Sequence, residues 1–346
     1  MRFLFVHQNF PGQFKFLAPA LARRGHDVTA MTMRKIKAAQ WQGVKLVSYA
    51  AQRGTTPKIH PWVKDFESKV IRGEACLRAA LDLKSRGLDP DVIIAHHGWG
   101  ESLFLKEVWP DARVGIYCEY YYQPHGADSA FDPEFPVKDP IGAVCRLDLK
   151  NINNRLHFEQ AVAGISPTQW QADTFPEPFR SRISVIHEGI HTKQARPDPK
   201  VQMNINAHDG RTVPLTRDHE IITFVNRNLE PFRGFHIFLR TLPDLLKRRP
   251  DARVIIVGGN EVSYGAPPDP AVHGKKPWKQ VFIDEVRPRI SDADWQRVHF
   301  VSRIPYAQFI PVLQISTVHV YLTYPFVLSW SLLEAMSCGC AVVASN

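Results

Sequence analysis

Arg227 and Arg233 flank a turn in the segment Phe224-Val-Asn-Arg-Asn-Leu-Glu-Pro-Phe-Arg-Gly234, where an apolar run gives way to a glycine and a helical pattern. Two guanidinium groups converging on the N-terminus of a helix make a strong diphosphate site, because forked donors and free backbone N–H groups meet there. The bland alternative is a pair of surface arginines. A second turn of this kind follows the first apolar run, in His7-Gln-Asn-Phe-Pro-Gly-Gln-Phe14. Gly12 would let a phosphate approach the backbone at a helix start. With one glycine the segment is no G-x-G-x-x-G fingerprint, and a plain tight turn is the competing reading.

His96 and His97 lie just past the apolar run of Asp91-Val-Ile-Ile-Ala-His-His-Gly-Trp-Gly-Glu101. Ligands of open α/β sheets bind at the carboxyl ends of strands. An imidazole placed there exchanges hydrogen bonds with a sugar hydroxyl near neutral pH, or else satisfies loop carbonyls. Near the end of the chain, Ser329 and Trp330 open a helical pattern that carries Glu334. A carboxylate at that place accepts two hydrogen bonds from a ribose diol, or stands as a charge on the helix surface. Glu119 and the run Tyr120-Tyr121-Tyr122 offer hydrogen bonds and a stacking surface for an acceptor, or are core and loop residues.

These residues need a scaffold, and the hydrophobic pattern predicts one. Strands are expected at 2–7, 27–32, 44–49, 92–95, 114–118 and 183–186, with helices over 13–24 and 64–86. Gly25 reads as a C-cap, and Pro19 should kink or shorten the first helix. Phe66, Val70, Leu77 and Leu81 mark the expected apolar face of the second. The polar, proline-containing stretch 193–220 reads as a linker or long surface loop. A second series has strands at 221–225, 253–257, 298–301, 318–322 and 341–344. Its helices are expected near 234–247, 279–286, 306–315 and 330–336. Alternation of this kind implies two parallel sheets with helices on both faces. The division falls at 1–189 and 190–346. A final strand without a following helix leaves a sheet face uncovered, so the second domain is expected to be incomplete here.

Composition bounds the rest. The chain has 346 residues, 44% hydrophobic and 22% charged, which suits two globular domains and not a disordered or fibrous protein. A formal net charge of +9 fits an anionic ligand, an anionic membrane surface or nucleic acid, and selects none. Nothing beyond charge points to nucleic acid. Arg34, Lys35 and Lys37 read as a solvated face. No segment is apolar for the ~18 residues of a membrane span, and the start lacks a signal-peptide pattern. Cys76, Cys118, Cys145, Cys338 and Cys340 have neither zinc nor redox spacing and read as reduced thiols of a cytoplasmic protein.

Together these segments resemble the retaining GT-B glycosyltransferases of family 4 (group 1 type). The resemblance rests on the opening that ends in Arg24-Gly-His-Asp-Val28, on Asp91 to Trp99, and on Val185-Ile-His-Glu-Gly-Ile190. It is most specific at Arg227 to Gly234 and at Leu332-Leu-Glu-Ala-Met-Ser-Cys-Gly339, which is similar to the family's E-A-M-x-x-G helix. It implies a GT-B architecture of two Rossmann-like domains facing across a cleft. The acceptor side would be the first domain and the nucleotide-sugar donor side the second, truncated one. By position, Arg227 and Arg233 would bind the donor diphosphate, Glu334 the nucleotide ribose, and Gly12 would admit the phosphates. The loop at Arg303-Ile304-Pro305 would flank the base. His96 aligns best with the family's active-site histidine, with His97 as the adjacent alternative.

The implied activity is transfer of a sugar from a nucleoside diphosphate sugar, with retention, to a glycan, lipid-linked or small-molecule acceptor, with no metal or other cofactor required. Peripheral contact with an anionic membrane would bring the chain to lipid-linked acceptors. One position departs: Phe326 stands where the family's first glutamate would grip the donor sugar. That substitution motivates a second reading, a catalytically inactive protein that binds sugar nucleotides or glycans. A nicotinamide-dependent dehydrogenase is disfavoured by the missing glycine fingerprint.

Overall fold

Strands with apolar residues on both faces organise the chain in the computed structural model, which describes residues 1–206 and 210–345. In β1 (Arg2–Val6), Leu4 and Val6 pack into one cluster while Phe5 packs into another, so successive side chains feed the two faces of one sheet. Strands buried on both sides suit a parallel sheet covered by helices on both faces. The chain divides into two compact units, Met1–Gly189 and Ile190–Asn346.

In the first unit the elements after β1 are α1 (Leu17–Arg23), β2 (Asp27–Thr32), β3 (Gln40–Trp41), β4 (Val44–Ser48) and α2 (Lys64–Ser85). There follow β5 (Val92–Ala95), α3 (Leu105–Val108), β6 (Arg113–Tyr117), α4 (Pro140–Gln160), β7 (Ala161–Ser166), α5 (Gln169–Asp173) and β8 (Ile183–Val185). The sheet order is β3-β4-β2-β1-β5-β6-β7-β8, parallel throughout except for the short β3. The order reverses between β1 and β5, which makes their carboxyl ends the switch point of a doubly wound fold.

Two expectations need correction here. The first helix starts at Leu17 and not at residue 13, which places Pro19 in its first turn, where it displaces no hydrogen bond. The buried residues of α2 are Lys69, Ile71, Gly73, Cys76 and Ala80; of the expected face Leu77 packs against the core, while Leu81 is 43% exposed. Small residues are needed there because α2 lies against the loop after β5. A Cβ on Gly73 would come within 2.8 Å of the Gly100 carbonyl oxygen.

Sequence periodicity misses α4 altogether. Its start is well signalled: Asp139 accepts from the N–H of Gly142, and Pro140 occupies the first turn. Its buried side is polar, with Asn151, Asn153, Asn154 and His157, so no apolar stripe marks it.

The second unit begins with an antiparallel hairpin, β9 (Gln202–Asn206) and β10 (Thr212–Thr216), inside the stretch expected to be a linker. Residues 207–209 of that stretch lie outside the described residues. The hairpin exists because Ile205 and Leu215 alternate with polar neighbours and pack with Ile221, Val225, Ile255 and Val312. Next come β11 (Ile221–Asn228), α6 (Phe235–Arg248), β12 (Arg253–Gly259), α7 (Pro270–His273), α8 (Trp278–Val286) and α9 (Asp292–Trp295). The unit continues with β13 (Val298–Val301), α10 (Tyr306–Ile315), β14 (Val318–Tyr321), α11 (Trp330–Ser337) and β15 (Ala341–Ala344). The order β13-β12-β11-β14-β15 is all parallel and reverses between β11 and β14. On the face opposite the hairpin, Phe224 stacks on Phe238 at 4.8 Å and packs against Phe235. Each such ring contributes about 1.5–3 kcal/mol by leaving water.

Candidate functional site

Each unit concentrates its polar chemistry at its own switch point. In the first, β1 delivers His7 and β5 delivers His96. The backbone N–H of Asn9 donates to His7 Nδ1 at 2.9 Å, which leaves the proton on Nε2. Nε2 then donates to Gln13 Oε1 at 2.8 Å, and Gln13 Nε2 donates to Glu119 Oε1 at 3.1 Å. The other Glu119 oxygen lies 3.5 Å from His96 Nε2. Burial first, then the neighbouring His96, push His7 down to about 3, so it stays neutral within this chain of bonds. Burial alone would raise the Glu119 carboxyl, but His96, His7 and the bond from Gln13 hold it below the usual carboxylate value.

The expected site residues of this unit fall into place around that chain. His96 is buried between the rings of Trp99, stacked at 4.1 Å, and Tyr117, at 5.3 Å. Its neighbour Glu119 is the partly open group of the pair. His97 lines a small cavity together with His96 and Glu119; it commits Nε2 to Asn154 Oδ1 at 2.7 Å, and its carbonyl accepts from Asn153. Burial, then His157 and His96, hold it well below the usual histidine value. Tyr120 donates to Asp128 at 2.8 Å. Gly12 has φ +45°, and a Cβ there would lie 2.2 Å from His7 Nε2, so what the glycine admits in this structure is the His7 ring.

The switch point of the second unit is an open cavity of about 340 Å³. Arg227, Arg233, Arg303, Ile304 and Ser329 share its wall with Asn228, Glu230, Ser263 and Tyr264. Arg227 is exposed and has no ion-pair partner among the described residues. Arg303 donates to the Arg227 carbonyl at 3.1 Å and to Asn228 Oδ1 at 2.6 Å, and pairs with Glu261. Arg233 is 8% exposed and donates to Thr323 Oγ1 at 2.9 Å. Aromatic faces surround its guanidinium: Tyr264 at 4.9 Å, Phe232 at 5.8 Å and Phe326 at 6.0 Å. Phe326 is therefore part of the aromatic surround of Arg233. The turn between β11 and α6 depends on Gly234, at φ +64°, where a Cβ would meet Leu322 Cβ at 2.4 Å.

Ser329 is the N-cap of α11 and accepts from the N–H of Ser331. Trp330 and Glu334 are not among the residues of the cavity wall. Glu334 is 3% exposed and accepts from the Tyr306 hydroxyl at 2.7 Å, which overturns the reading of a charge on the helix surface.

Sequence reasoning missed Glu230. Fully buried, it accepts N–H bonds from Ser263 at 2.9 Å and Gly265 at 3.3 Å, fastening the loop that carries Tyr264. Its signal was an acid placed between two arginines in a strand-to-helix turn. The supporting asparagines of α4 and the link through Gln13 gave no such signal, because amides at irregular spacing resemble any polar surface.

Two doubly wound units in tandem, the second with an arginine-lined cavity at its switch point, define the GT-B class of fold. Residues 24–195 match the family described as Glycosyl transferase family 4 group, and residues 219–346 match Glycosyl transferases group 1. The chain accordingly belongs to the glycosyltransferases of GT-B fold. Among solved structures it is similar to sucrose-phosphate synthase from Thermosynechococcus elongatus, with a TM-score of 0.68 and 15% identity over 100% of this chain and 81% of that one. It is also similar to the catalytic domain of starch synthase IV from Arabidopsis thaliana bound to ADP and acarbose, with a TM-score of 0.60 and 15% identity over 99% and 82%. A third is Anabaena HepE in complex with UDP-glucose, with a TM-score of 0.58 and 13% identity over 99% and 80%. No curated protein sequence matches the chain. Among the described residues, no helix is long and apolar enough to cross a membrane.

Proposed function

We propose that the chain transfers a sugar from a nucleoside diphosphate sugar to an acceptor hydroxyl, with retention at the anomeric carbon and without a metal. The observation that carries this reading is the set of three arginines on one cavity wall at the β11/β14 switch point. Negative charge grows on the departing diphosphate as the glycosidic bond breaks. Guanidinium groups held in place before the reaction stabilise that charge without reorganising, and each such contact lowers the barrier by about 2.7–4 kcal/mol. In this reading Arg227 and Arg233 hold the diphosphate and Ser329 stands at the amide end of α11. Arg303 and Ile304 flank the base, and the family resemblance assigns the nucleotide ribose to Glu334. The resemblance assigns the transferred sugar to His96, which Glu119 backs, and the acceptor to the first unit. The Anabaena and Arabidopsis structures, with UDP-glucose and ADP bound, support the donor class.

The test is a melting-shift series with UDP-, ADP- and GDP-sugars, followed by NMR of the product's anomeric proton. A stabilising donor and a product of unchanged anomeric configuration are expected. Inversion would remove the retaining mechanism, and indifference to every sugar nucleotide would remove the donor assignment. Phe326 favours a second reading, binding without transfer, because an aromatic ring offers no acceptor oxygen to sugar hydroxyls. Tight donor binding with neither transfer nor hydrolysis would select it.

A further inference from the structure

A small cavity of about 50 Å³ in the first unit brings two lysines beside the hydrogen-bond chain of its switch point. Its wall includes Lys69 and Lys150 beside His96, Glu119, Tyr120, Tyr122, Asn153 and Asn154. The Lys69 ammonium pairs with the exposed Asp65 at 2.8 Å and donates to the Lys150 carbonyl at 3.1 Å. The Lys150 ammonium sits 3.6 Å from the centre of the Tyr122 ring and has no ion-pair partner among the described residues. The nearby Asp128 already accepts from Tyr120. The volume admits a group of a few heavy atoms and not a sugar ring.

We propose that this cavity recognises an anionic oxygen group, phosphoryl or carboxylate, carried by the sugar acceptor, with Lys150 as its main contact and Lys69 as the second cation. The inference rests on the transferase reading and deepens it, since it names the acceptor class. A half-buried cation over an aromatic face retains part of its desolvation cost until an anion arrives. Burial holds both lysines below the usual ammonium value, against the opposing pull of Asp65 on each and of Asp128 on Lys150. The rest of the acceptor stays outside the cavity, at the side where Glu119 is open.

Calorimetric titration of the whole chain with glucose 6-phosphate, glucuronate and glucose tests this. At least one anionic sugar should bind about tenfold or more tightly than glucose, and which one does identifies the anion. Lys150→Met should remove that advantage, Lys150→Arg should keep most of it, and Arg227→Ala should leave it unchanged. Equal affinity for all three sugars, or an advantage that survives Lys150→Met, overturns the proposal. An advantage lost in Arg227→Ala instead would place the anion in the arginine cavity and also overturn it. UDP-glucose affinity, measured on the same Lys150→Met protein, should be unchanged. Failure of donor binding in the native chain would sink the transferase reading and leave the anion site standing.

Discussion

The two switch points share a strand topology and differ in how they treat charge. At β1/β5 the polar groups satisfy one another: a neutral histidine, a glutamine, a carboxylate and a second histidine form a closed series under aromatic rings. At β11/β14 guanidinium groups line an open cavity. One place is built to hold a geometry, the other to receive an anion. Topology supplies the position, and the residue types at the strand ends decide what the position does.

The contrast is sharpest in an arginine deletion. Arg227→Ala should cut turnover at least about a hundredfold, the equivalent of 2.7–4 kcal/mol in the barrier, while melting stays unchanged because the side chain is exposed. A rate within a few-fold of the native one would erase the distinction between the sites.

Acid should separate the units next. His7, His97 and His157 in the first unit, and His319 in the second, have folded values pushed below 6.5 chiefly by burial. A lowered value means that the unfolded chain binds the proton first. Stability is therefore complete above about 6.5 and drains as pH falls towards the folded values, about 3 for His7 and about 4 for His157 and His319. His7, His157 and His319 each remove about 2 kcal/mol between pH 7 and pH 5, and His97 acts in the same direction. Glu101, raised by burial to about 7, works in the opposite sense, being protonated in the fold where the unfolded chain is ionised. With three histidines against one, the first unit should still lose more. Hydrogen exchange on the whole chain at the two pH values, corrected for intrinsic rates, reads each unit, and equal losses would contradict the assignment.

The smallest effect concerns the glycines. Gly234→Ala should lower stability by at least about 1–2 kcal/mol, the cost of a left-handed alanine, since the Leu322 Cβ facing it cannot rotate away. Gly12→Ala meets a ring that can move, so its damage should appear in the His7 hydrogen bonds. Melting curves and the imidazole NMR signals of the two variants distinguish these outcomes.

Much of this was legible in the sequence where physics repeats itself. Val92–Ala95 and the run Val254–Val257 within β12 were readable as strands because buried parallel strands are continuous apolar runs. The arginines of the β11 turn were readable from type and spacing. The hairpin β9–β10 was obscured by Pro214 and its polar partners, and α4 by an interior face made of amides. Glu230 and Lys150 escaped because a single charge leaves no periodic trace, and its meaning depends on neighbours distant in the chain.

The aromatic surround of Arg233 has a consequence for ionic strength. Mobile salt ions screen exposed charges within a Debye length of about 8 Å at physiological concentration, but they cannot enter a stack of rings. Arg227 stands in that ionic atmosphere and Arg233 is largely withdrawn from it. Added salt should therefore weaken the reach of the cavity for a distant anion while sparing its grip on one already seated.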